Sequence, residues 1–364
     1  MRIYLVAGEA SGDLHGASLI LALRQQQDVR VRGIGGDRMA AAGMELLLHY
    51  RQTAFMGFWE VLRHLPRIVR ALRQTQSDIT QWQPDVLVLI DYPGFNLRLA
   101  RWAHQRGLKV VYYIAPQLWA WHAARVRLIR KYVDCLLVIL PFEPAFFRQH
   151  GVEAIYVGHP LLDILGQETH DRNRQPRLVA LLPGSRRQEV AAMLPTMLKA
   201  AAGIKGVEIA VAGLSSVGQD FYHRWLHAYP QVQLWLNRTH ELLRRASAAV
   251  VTSGTATLET ALLGVPQVVC YRGSELSYQI ARRLVRVPYI SLVNLIVNRP
   301  LLRELVQHQV RAPVIAEELN RLLDDEAYRD GIKAGYMELR QLLGGPGASH
   351  LAAQYVLHCP SRKA

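Results

Sequence analysis

The fold is decided by the stretch Ile3–Asp13 (IYLVAGEASGD), close to the start of the chain. Its apolar run Ile3–Ala7 leads directly into a glycine-containing loop, and the helical pattern Asp13–Arg24 follows. A short apolar strand, a tight loop and a helix together form the first part of a β-α-β unit, in which strands pair in parallel. The stretch therefore predicts an open, parallel α/β sheet.

The same alternation continues on both sides of a polar segment at 167–176 (QETHDRNRQP), which indicates a linker. Strands buried on both faces and joined by helices predict doubly wound sheets. The length of 364 residues suits two such domains. We therefore predict an α/β protein of two Rossmann-like domains facing a cleft, with the divisions 1–166, 167–176 (linker), 177–343 and 344–364 (C-terminal tail). Predicted strands include Val29–Ile34, Val86–Ile90, Val110–Ile114, Cys135–Leu140, Leu178–Leu182, Val207–Ala212, Val232–Trp235, Ala249–Thr252 and Gln267–Tyr271.

Composition narrows the class of protein. Hydrophobic residues make up 50% and charged residues 20%, so a large core is possible, whereas the apolar runs are far shorter than the roughly 20 residues that span a bilayer. The 3 cysteines are widely spaced, which fits a reducing cytosol better than disulfides or a zinc site. The net charge of +14, mostly from arginine, predicts a partner that is nucleic acid, an anionic membrane or a phosphorylated small molecule.

Two loops in the first half of the sequence directly follow predicted strands, at positions where functional residues are expected. The loop 8–13 opens a helix whose N-terminus suits an anion; the alternative is a tight turn in which Asp13 is a cap. Asp91 directly follows the apolar strand Val86–Ile90, so it faces the crevice at the carboxyl edge of a parallel sheet. Burial there raises a carboxyl pKa, as a general base requires, although Asp91 could instead cap the next helix.

Two loops of the second half have the pattern of phosphate-binding turns. The loop Pro183–Glu189 (PGSRRQE) combines a Gly-Ser turn, a helix start and two arginines. The loop Ser253–Glu259 (SGTATLE) is again a small-residue turn before a helix, with Glu259 available for ribose hydroxyls. We therefore predict a diphosphate or nucleotide site made by Gly184, Ser185, Arg186, Ser253, Gly254, Thr255, Thr257 and Glu259.

The segment Met56–Arg73 (MGFWEVLRHLPRIVRALR) has apolar residues at helical spacing and arginines on much of the other side. This pattern is typical of an interfacial amphipathic helix, and it also fits an ordinary helix packed on a core. For the first case, the predicted membrane or acyl contacts are Phe58, Trp59, Leu62, Leu65 and Val69. No D-x-D pair for a metal–diphosphate complex is found, and we predict neither a metal nor a cofactor.

Eight strings of the sequence resemble those of the lipid-A-disaccharide synthase family, in order and across nearly the whole chain. They are LVAGEASGDLHG (5–16), IDYPGFN (90–96), APQLWAW (115–121), LPFE (140–143), VGHPLLD (157–163), LLPGSRRQEV (181–190), SGTATLETALLGVPQVV (253–269) and ISLVNLI (290–296). The resemblance implies a metal-independent, inverting GT-B glycosyltransferase. It further implies transfer of 2,3-diacylglucosamine from its UDP derivative to the 6-hydroxyl of 2,3-diacylglucosamine 1-phosphate, which gives the β-1,6-linked disaccharide 1-phosphate and UDP.

The resemblance also implies roles for individual residues. Asp91 matches a candidate general base, and Arg186 matches an arginine that holds the UDP diphosphate. Asn294 matches an asparagine near the active site, and we assign it to the acceptor side. Glu9 and Ser11 fall in the acceptor-side loop, and Thr255, Thr257 and Glu259 fall in the donor-nucleotide motif.

This sequence departs from many members of the family at Gly94, Val293 and His122, where they have Asp, Pro and a basic residue. The first difference removes a carboxylate that would compete with Asp91. The resemblance further implies a cytoplasmic enzyme, peripherally associated with the cytoplasmic face of the inner membrane. Its tail would return to its own N-terminal domain or to that of a partner in a swapped homodimer.

Two other functions fit part of the pattern. A different GT-B enzyme, such as a UDP-GlcNAc transferase or epimerase, would share the donor loops but would have no use for the hydrophobic surface of Met56–Arg73. A non-catalytic RNA-binding protein would account for the positive charge. However, no RRM or KH signature is present and the basic residues cluster at the phosphate loops, so we predict no nucleic-acid partner.

Overall fold

The computed structural model describes residues 1–52, 65–121, 125–166, 175–273, 278–279 and 287–359. The chain divides into two compact units, one formed by residues 1–164 together with 345–364 and the other by residues 165–344. Most of the predicted linker, and the predicted contacts Phe58, Trp59 and Leu62, lie outside the described residues. Within the described ranges, no helix combines the length and the apolar character needed to cross a bilayer.

The first unit contains a parallel sheet of seven strands in the order β3-β2-β1-β4-β5-β6-β7. All six pairings between these neighbouring strands are parallel. The central strands are wholly buried because helices cover both faces, so their sequences read as continuous apolar runs. The strands are β1 (Arg2–Ala7), β2 (Arg30–Gly35), β3 (Glu45–His49), β4 (Val86–Ile90), β5 (Lys109–Tyr113), β6 (Cys135–Val138) and β7 (Ile155–Tyr156).

The described helices of this unit are α1 (Ala10–Gln26), α2 (Asp37–Ala41), α3 (Leu65–Trp82), α4 (Pro93–His104), α5 (Leu118–Trp121), α6 (Val126–Tyr132), α7 (Glu143–Gln149) and α8 (Leu161–Leu165). One hydrophobic core cluster extends through the unit, since Tyr4 on β1, Leu89 on β4 and Phe147 on α7 all belong to it and are fully buried. The final described helix of the chain, Ala348–His358, also belongs to this unit and packs on α1.

The second unit contains a parallel sheet of six strands in the order β10-β9-β8-β11-β12-β13. Its strands are β8 (Leu178–Leu182), β9 (Glu208–Gly213), β10 (Gln233–Leu236), β11 (Ala248–Thr252), β12 (Gln267–Tyr271) and β13 (Glu304–Val306). The described helices are α9 (Arg187–Ala202), α10 (Gln219–Leu226), α11 (Thr239–Arg245), α12 (Thr255–Leu262), α13 (Leu292–Val297), α14 (Ala312–Asp324) and α15 (Glu326–Leu343); the C-terminal helix is therefore α16 (Ala348–His358).

The strand order of each sheet reverses direction at one point. In the first unit this switch point lies between β1 and β4, where Ala7 pairs with Ile90. In the second unit it lies between β8 and β11, where Leu182 pairs with Val251. In open α/β sheets, ligands bind outside the carboxyl ends of the strands at such switch points. The four loops singled out in the sequence follow these four strands.

The prediction of two Rossmann-like, doubly wound α/β domains is confirmed. Three predicted strands, Val86–Ile90, Leu178–Leu182 and Gln267–Tyr271, have the predicted bounds. The predicted helix Phe58–Arg73 is described only from Leu65, and it continues to Trp82. The sequence did not predict the edge strands β3, β7 and β13.

Candidate active site

Asp91 lies at the switch point of the first unit, directly after β4. Its backbone and that of Tyr92 are left-handed, with φ of 45° and 49°. This conformation is costly for residues other than glycine, and it is common where a side chain must be presented at a functional site. Tyr112 on β5 donates its hydroxyl to the Asp91 carbonyl at 2.5 Å, and the Asn96 amide donates to the same oxygen at 2.8 Å. The strained turn is therefore fixed from two sides.

The carboxyl group of Asp91 has an unusual pKa for an aspartate. Burial, followed by the nearby charge of Glu9, raises its pKa from 3.8 to about 7. The helix that follows does not use this carboxylate as a cap. The alternative role of Asp91 as a helix cap is therefore wrong, whereas a pKa near neutrality suits a general base.

Glu9 and Ser11 lie beside the same switch point, where Glu9 is the N-cap position of α1 and Ser11 is in its first turn. Both side chains are half-buried. Asp13 in the same turn points elsewhere, because its carboxylate accepts from the backbone N–H groups of Gly36 (2.7 Å) and Met39 (3.0 Å) at the start of α2. Asp13 is therefore a cap, but of the neighbouring helix.

The loop after β8 is held by Glu189, one turn into α9. Its carboxylate accepts from the backbone N–H of Ser185 (2.8 Å) and from Nη1 of Arg186 (2.8 Å). The Gly184 backbone is left-handed at φ 116°, and a Cβ there would meet the Glu189 side chain at 2.5 Å. The Ser185 amide and the Arg186 guanidinium are thus already arranged around an anion. Arg187, by contrast, donates to the Val217 carbonyl at 2.9 Å and lies over the Phe221 ring.

The loop after β11 exposes backbone at the start of α12. Gly254 is exposed at φ 154°, and a Cβ added there would meet nothing within 4 Å. The hydroxyls of Ser253 and Thr257 donate to main-chain carbonyls, of Ile290 (2.7 Å) and Gly254 (2.8 Å). These two hydroxyl groups stabilise the turn. The N-terminus of α12, which begins at Thr255, faces open space next to Gly254.

Glu259 contacts a residue that the sequence did not link to it. Nε2 of His240 and Oε2 of Glu259 lie 2.9 Å apart. The two positions are 19 residues apart on different helices, so only the fold brings them together. The carboxylate of Glu259 keeps a part-exposed surface, and its predicted contact with ribose stays a prediction.

Asn294 is buried in the second unit with its amide used internally. Its Nδ2 donates to the Leu302 carbonyl and to Oε1 of Glu304, both at 2.9 Å, and its Oδ1 accepts from the Leu302 N–H at 2.8 Å. These bonds hold the segment after α13 against β13. The predicted acceptor-side role of Asn294 stays a prediction, and the structure gives this amide a structural task.

The predicted amphipathic surface is described in part. Leu65 and Val69, one turn apart on α3, are 39% and 36% exposed, while Ile68 between them is buried. With Pro66, Arg70 and Arg73 they line an open hollow of about 430 Å³. An apolar floor with basic margins therefore lies on the outer side of this helix.

Among the residues that the structure describes, no three His, Cys, Asp or Glu side chains are grouped so that they could hold a metal ion. The loops after β8 and β11 present the Arg186 guanidinium and the N-termini of α9 and α12.

One functional candidate was missed by sequence reasoning. Glu143, in the LPFE string, is a carboxylate buried after β6, and burial raises its pKa to about 7. The charge of Asp91 contributes to that shift in the same direction. The string itself was recognised, but no pattern of spacing shows that its glutamate lies near Asp91.

Two Rossmann-like domains with loops at their switch points define the class of the GT-B glycosyltransferases and related epimerases. Solved structures agree in fold. The chain has a TM-score of 0.61 at 18% identity with CalG4, the calicheamicin glycosyltransferase, and covers 98% of each chain. It has a TM-score of 0.65 at 11% identity with the UDP-GlcNAc 2-epimerase of Methanocaldococcus jannaschii, solved in complex with UDP-GlcNAc and UDP, covering 98% of this chain and 100% of that one.

Within that class, the family model described as lipid-A-disaccharide synthetase matches residues 3–356, and the chain belongs to this family. It is 42% identical over 371 residues to the lipid-A-disaccharide synthase of Syntrophus aciditrophicus and 40% identical over 370 residues to that of Trichlorobacter lovleyi. Both matches cover 98% of this chain and 97% of the relative. The protein is a glycosyltransferase, as the resemblance implied.

Proposed function

We propose that the protein transfers 2,3-diacylglucosamine from its UDP derivative to the 6-hydroxyl of 2,3-diacylglucosamine 1-phosphate. The products are the β-1,6-linked disaccharide 1-phosphate and UDP, formed with inversion at the anomeric carbon. The observation that carries the proposal is Asp91, a partly buried carboxyl with a pKa of about 7 at the switch point of one Rossmann-like unit. Membership of the family supplies the substrate class.

In this mechanism Asp91 removes the proton of the acceptor hydroxyl while that oxygen attacks the anomeric carbon of the donor. The new C–O bond forms as the bond to the diphosphate breaks, through a transition state in which the sugar has oxocarbenium character. A base with a pKa near the working pH is partly ionised and still strong enough to take the proton. The charge of Glu9 helps to keep Asp91 in this range, and Glu9 and Ser11 are placed on the acceptor side.

The departing diphosphate gains negative charge as the bond breaks. In the proposal Arg186, the Ser185 amide and the N-termini of α9 and α12 stabilise this charge. Glu189 now occupies the Ser185 amide and the Arg186 guanidinium, so the diphosphate displaces or shares these donors. Gly254 and Thr255 leave room for a phosphate, and Glu259 is proposed to bind the ribose hydroxyls. Because these groups supply the positive charge, the proposed reaction needs no divalent ion.

We also propose that the exposed face of α3 meets a membrane. Its apolar residues Leu65 and Val69 and its arginines suit acyl chains and anionic headgroups, respectively. Such a surface fits a cytoplasmic enzyme at the inner membrane whose two substrates carry acyl chains. We also propose that the protein forms a homodimer, which a measurement of its molecular mass in solution would test.

The test is incubation of the pure protein with UDP-2,3-diacylglucosamine and 2,3-diacylglucosamine 1-phosphate in EDTA, followed by mass detection of the joined disaccharide. Formation of one disaccharide 1-phosphate and one UDP per turnover is expected. A parallel reaction with non-acylated UDP-GlcNAc separates this function from a general UDP-GlcNAc transferase or epimerase. Product from UDP-GlcNAc alone, or none from the acylated pair, would refute the assignment.

A further inference from the structure

The carboxylate of Glu143 is surrounded by donors. It is 1% exposed, and its Oε2 accepts from the backbone N–H groups of Ile139 (3.1 Å) and Leu140 (2.9 Å). Its Oε1 accepts from the indole Nε1 of Trp119 at 3.2 Å. An ionised carboxylate has about four lone-pair positions and no proton to donate, so it can satisfy all of these donors together.

Trp119 depends on this bond for its position. It belongs to α5, a four-residue helix that follows β5, and so short a helix has little stability of its own. The half-buried indole is held by Glu143 through its N–H and by the Phe142 ring, which meets it edge-on at 5.1 Å between centroids. Both supports come from the start of α7, where Phe142 is the N-cap residue and Glu143 the first helical residue. The start of α7 therefore determines where the indole lies.

Trp119 and Asp91 follow neighbouring strands whose ends are hydrogen-bonded. The Asp91 N–H donates to the Ile114 carbonyl at 3.2 Å, and the Ile114 N–H donates to the Leu137 carbonyl on β6 at 3.0 Å. The proposed base, the tryptophan and Glu143 thus follow three successive strands of one sheet at its carboxyl edge. A half-exposed indole at this edge offers an apolar face beside the place where the acceptor hydroxyl is activated.

We propose that Glu143 is a positioning residue of the acceptor site, which holds the Trp119 indole where its face packs against the acceptor glucosamine and its acyl groups. This inference rests on the proposed function. Glu143 acts through Trp119 and does not itself touch the substrate. The proposal makes Trp119 a contact that selects an acylated acceptor, while the donor nucleotide depends on other residues.

The donor count explains why a carboxylate is needed. In Glu143→Gln the side chain has one acceptor oxygen and one NH2 group, so one of the three N–H donors faces another donor. When Trp119→Phe is added to Glu143→Gln, the indole donor is gone, so the glutamine oxygen can accept from both backbone N–H groups. The double variant should therefore behave like Trp119→Phe alone, because the same contact is lost in both.

Protonation of Glu143 should weaken the bond to Trp119 in the same way as the Glu143→Gln substitution. The groups that face its carboxyl are Asp91, whose charge favours protonation, the Tyr156 hydroxyl and the three N–H donors. A protonated carboxyl carries an O–H in place of one acceptor position. As pH falls below about 7 the Trp119 bond weakens, so the KM for the acceptor should rise in the parent but not in Trp119→Phe.

The experiment measures kcat and the KM of each substrate for the full-length parent, Glu143→Gln, Trp119→Phe and the double variant, across pH values on both sides of neutrality. Each single variant is expected to raise the acceptor KM by about 10-fold, within the range for a lost apolar contact, and to leave the donor KM unchanged. The matched control is Trp102→Phe, which should behave like the parent. Trp102 is on α4, and its ring lies under the Arg106 guanidinium.

Multiplication of the two single effects in the double variant would overturn the proposal, as would an equal rise in the donor KM. An acceptor KM of Trp119→Phe that equals the parent's at every pH would also overturn it, and this variant stays informative if Glu143→Gln fails to fold. Failure of the proposed function is seen separately, since the parent would then yield no disaccharide. An active parent with unaffected variants refutes only the role of Glu143 and Trp119.

Discussion

Oδ2 of Asp163 accepts a hydrogen bond of 2.8 Å from the backbone N–H of Ser349, 186 residues further along the chain. Its Oδ1 accepts from the Gly347 N–H at 2.5 Å. Both donors are at the start of α16, whose N-cap position is Gly347 and has no side chain to serve as a cap. A residue of the first part of the chain thus caps the C-terminal helix, and Gln26 adds a bond to the His350 carbonyl at 2.9 Å.

We expect Asp163→Ala to loosen this helix by about 1–2 kcal/mol, the usual cost of a lost N-cap. Cys359 directly follows α16 and is 2% exposed, so its thiol reports release of the helix. The measurement is the rate at which a thiol reagent modifies Cys359 under native conditions, and a rise of roughly 5- to 30-fold is expected. Asp163→Asn keeps one acceptor oxygen for the two N–H donors, so its rate should lie between those of the parent and Asp163→Ala. Equal rates in Asp163→Ala and the parent would show that the cap does not hold the helix.

For Asp91→Asn we expect turnover to fall by about 10²–10⁴-fold, the range for loss of a general base. UDP affinity should stay close to the parent's, because the proposed UDP site belongs to the other unit. In the parent, kcat/KM should fall tenfold per pH unit below about 7, where Asp91 becomes protonated. Asp85→Asn, before the opposite end of β4, is the control, since this exposed carboxylate accepts a hydrogen bond from the Arg2 N–H at 2.6 Å, far from the carboxyl edge of the sheet. Turnover of Asp91→Asn within a few-fold of the parent would remove Asp91 from the role.

The same substitution should stabilise the fold. Because the pKa of Asp91 is raised from 3.8 to about 7, the native state favours the protonated form, and stability is lost as pH rises through this window. Asn cannot ionise, so Asp91→Asn should gain about 2 kcal/mol more at pH 8 than at pH 5.5. Urea unfolding at both pH values measures this difference. A gain that is the same at both would mean that the carboxyl titrates normally.

Arg186→Ala should weaken UDP binding by roughly 10- to 100-fold, the effect of losing a charge-assisted hydrogen bond. Arg187→Ala is the matched control, because Arg187 is bonded to Val217 and stacked on Phe221. It should cost stability and leave UDP affinity nearly unchanged. Calorimetric titration with UDP gives both values. Equal losses in the two variants would assign the binding to the loop as a whole and not to Arg186.

Leu65→Ser combined with Val69→Ser should lower binding to vesicles that contain anionic lipid, by about 10-fold, because two exposed apolar side chains are lost. Sedimentation with such vesicles measures the bound fraction. Leu21→Ser is the control, since Leu21 is also an exposed leucine of the first unit, on α1. Unchanged binding of the double variant would place the membrane contact elsewhere.

The fold was predictable because both sheets are parallel and covered on both faces. A strand such as Val86–Ile90 then consists only of apolar residues and is bounded by polar ones. The edge strand β3 begins with Glu45 and ends with His49, and β13 has only 3 residues and begins with Glu304, so both lack this signature. The site loops were predictable for a related reason, because each follows one of the recognisable strands.

Contacts between distant segments could not be predicted. The alternative for the loop 8–13 was a tight turn capped by Asp13, and its carboxylate instead reaches the start of α2. The pairing of His240 with Glu259 and the bond from Trp119 to Glu143 each join two different helices, and no helical or strand periodicity relates the paired positions. Such contacts depend on the packed arrangement of the strands, which local propensity does not encode.

The first unit contains both residues 1–164 and residues 345–364, with the whole second unit between them in the chain. During translation, α1 and β1 leave the ribosome long before α16 is made. The surface of α1 that α16 covers thus stays open until the second unit has been synthesised, and the first unit is complete only when residues 345–364 have been made. A stop codon before α16 would therefore leave incomplete the unit whose synthesis began first.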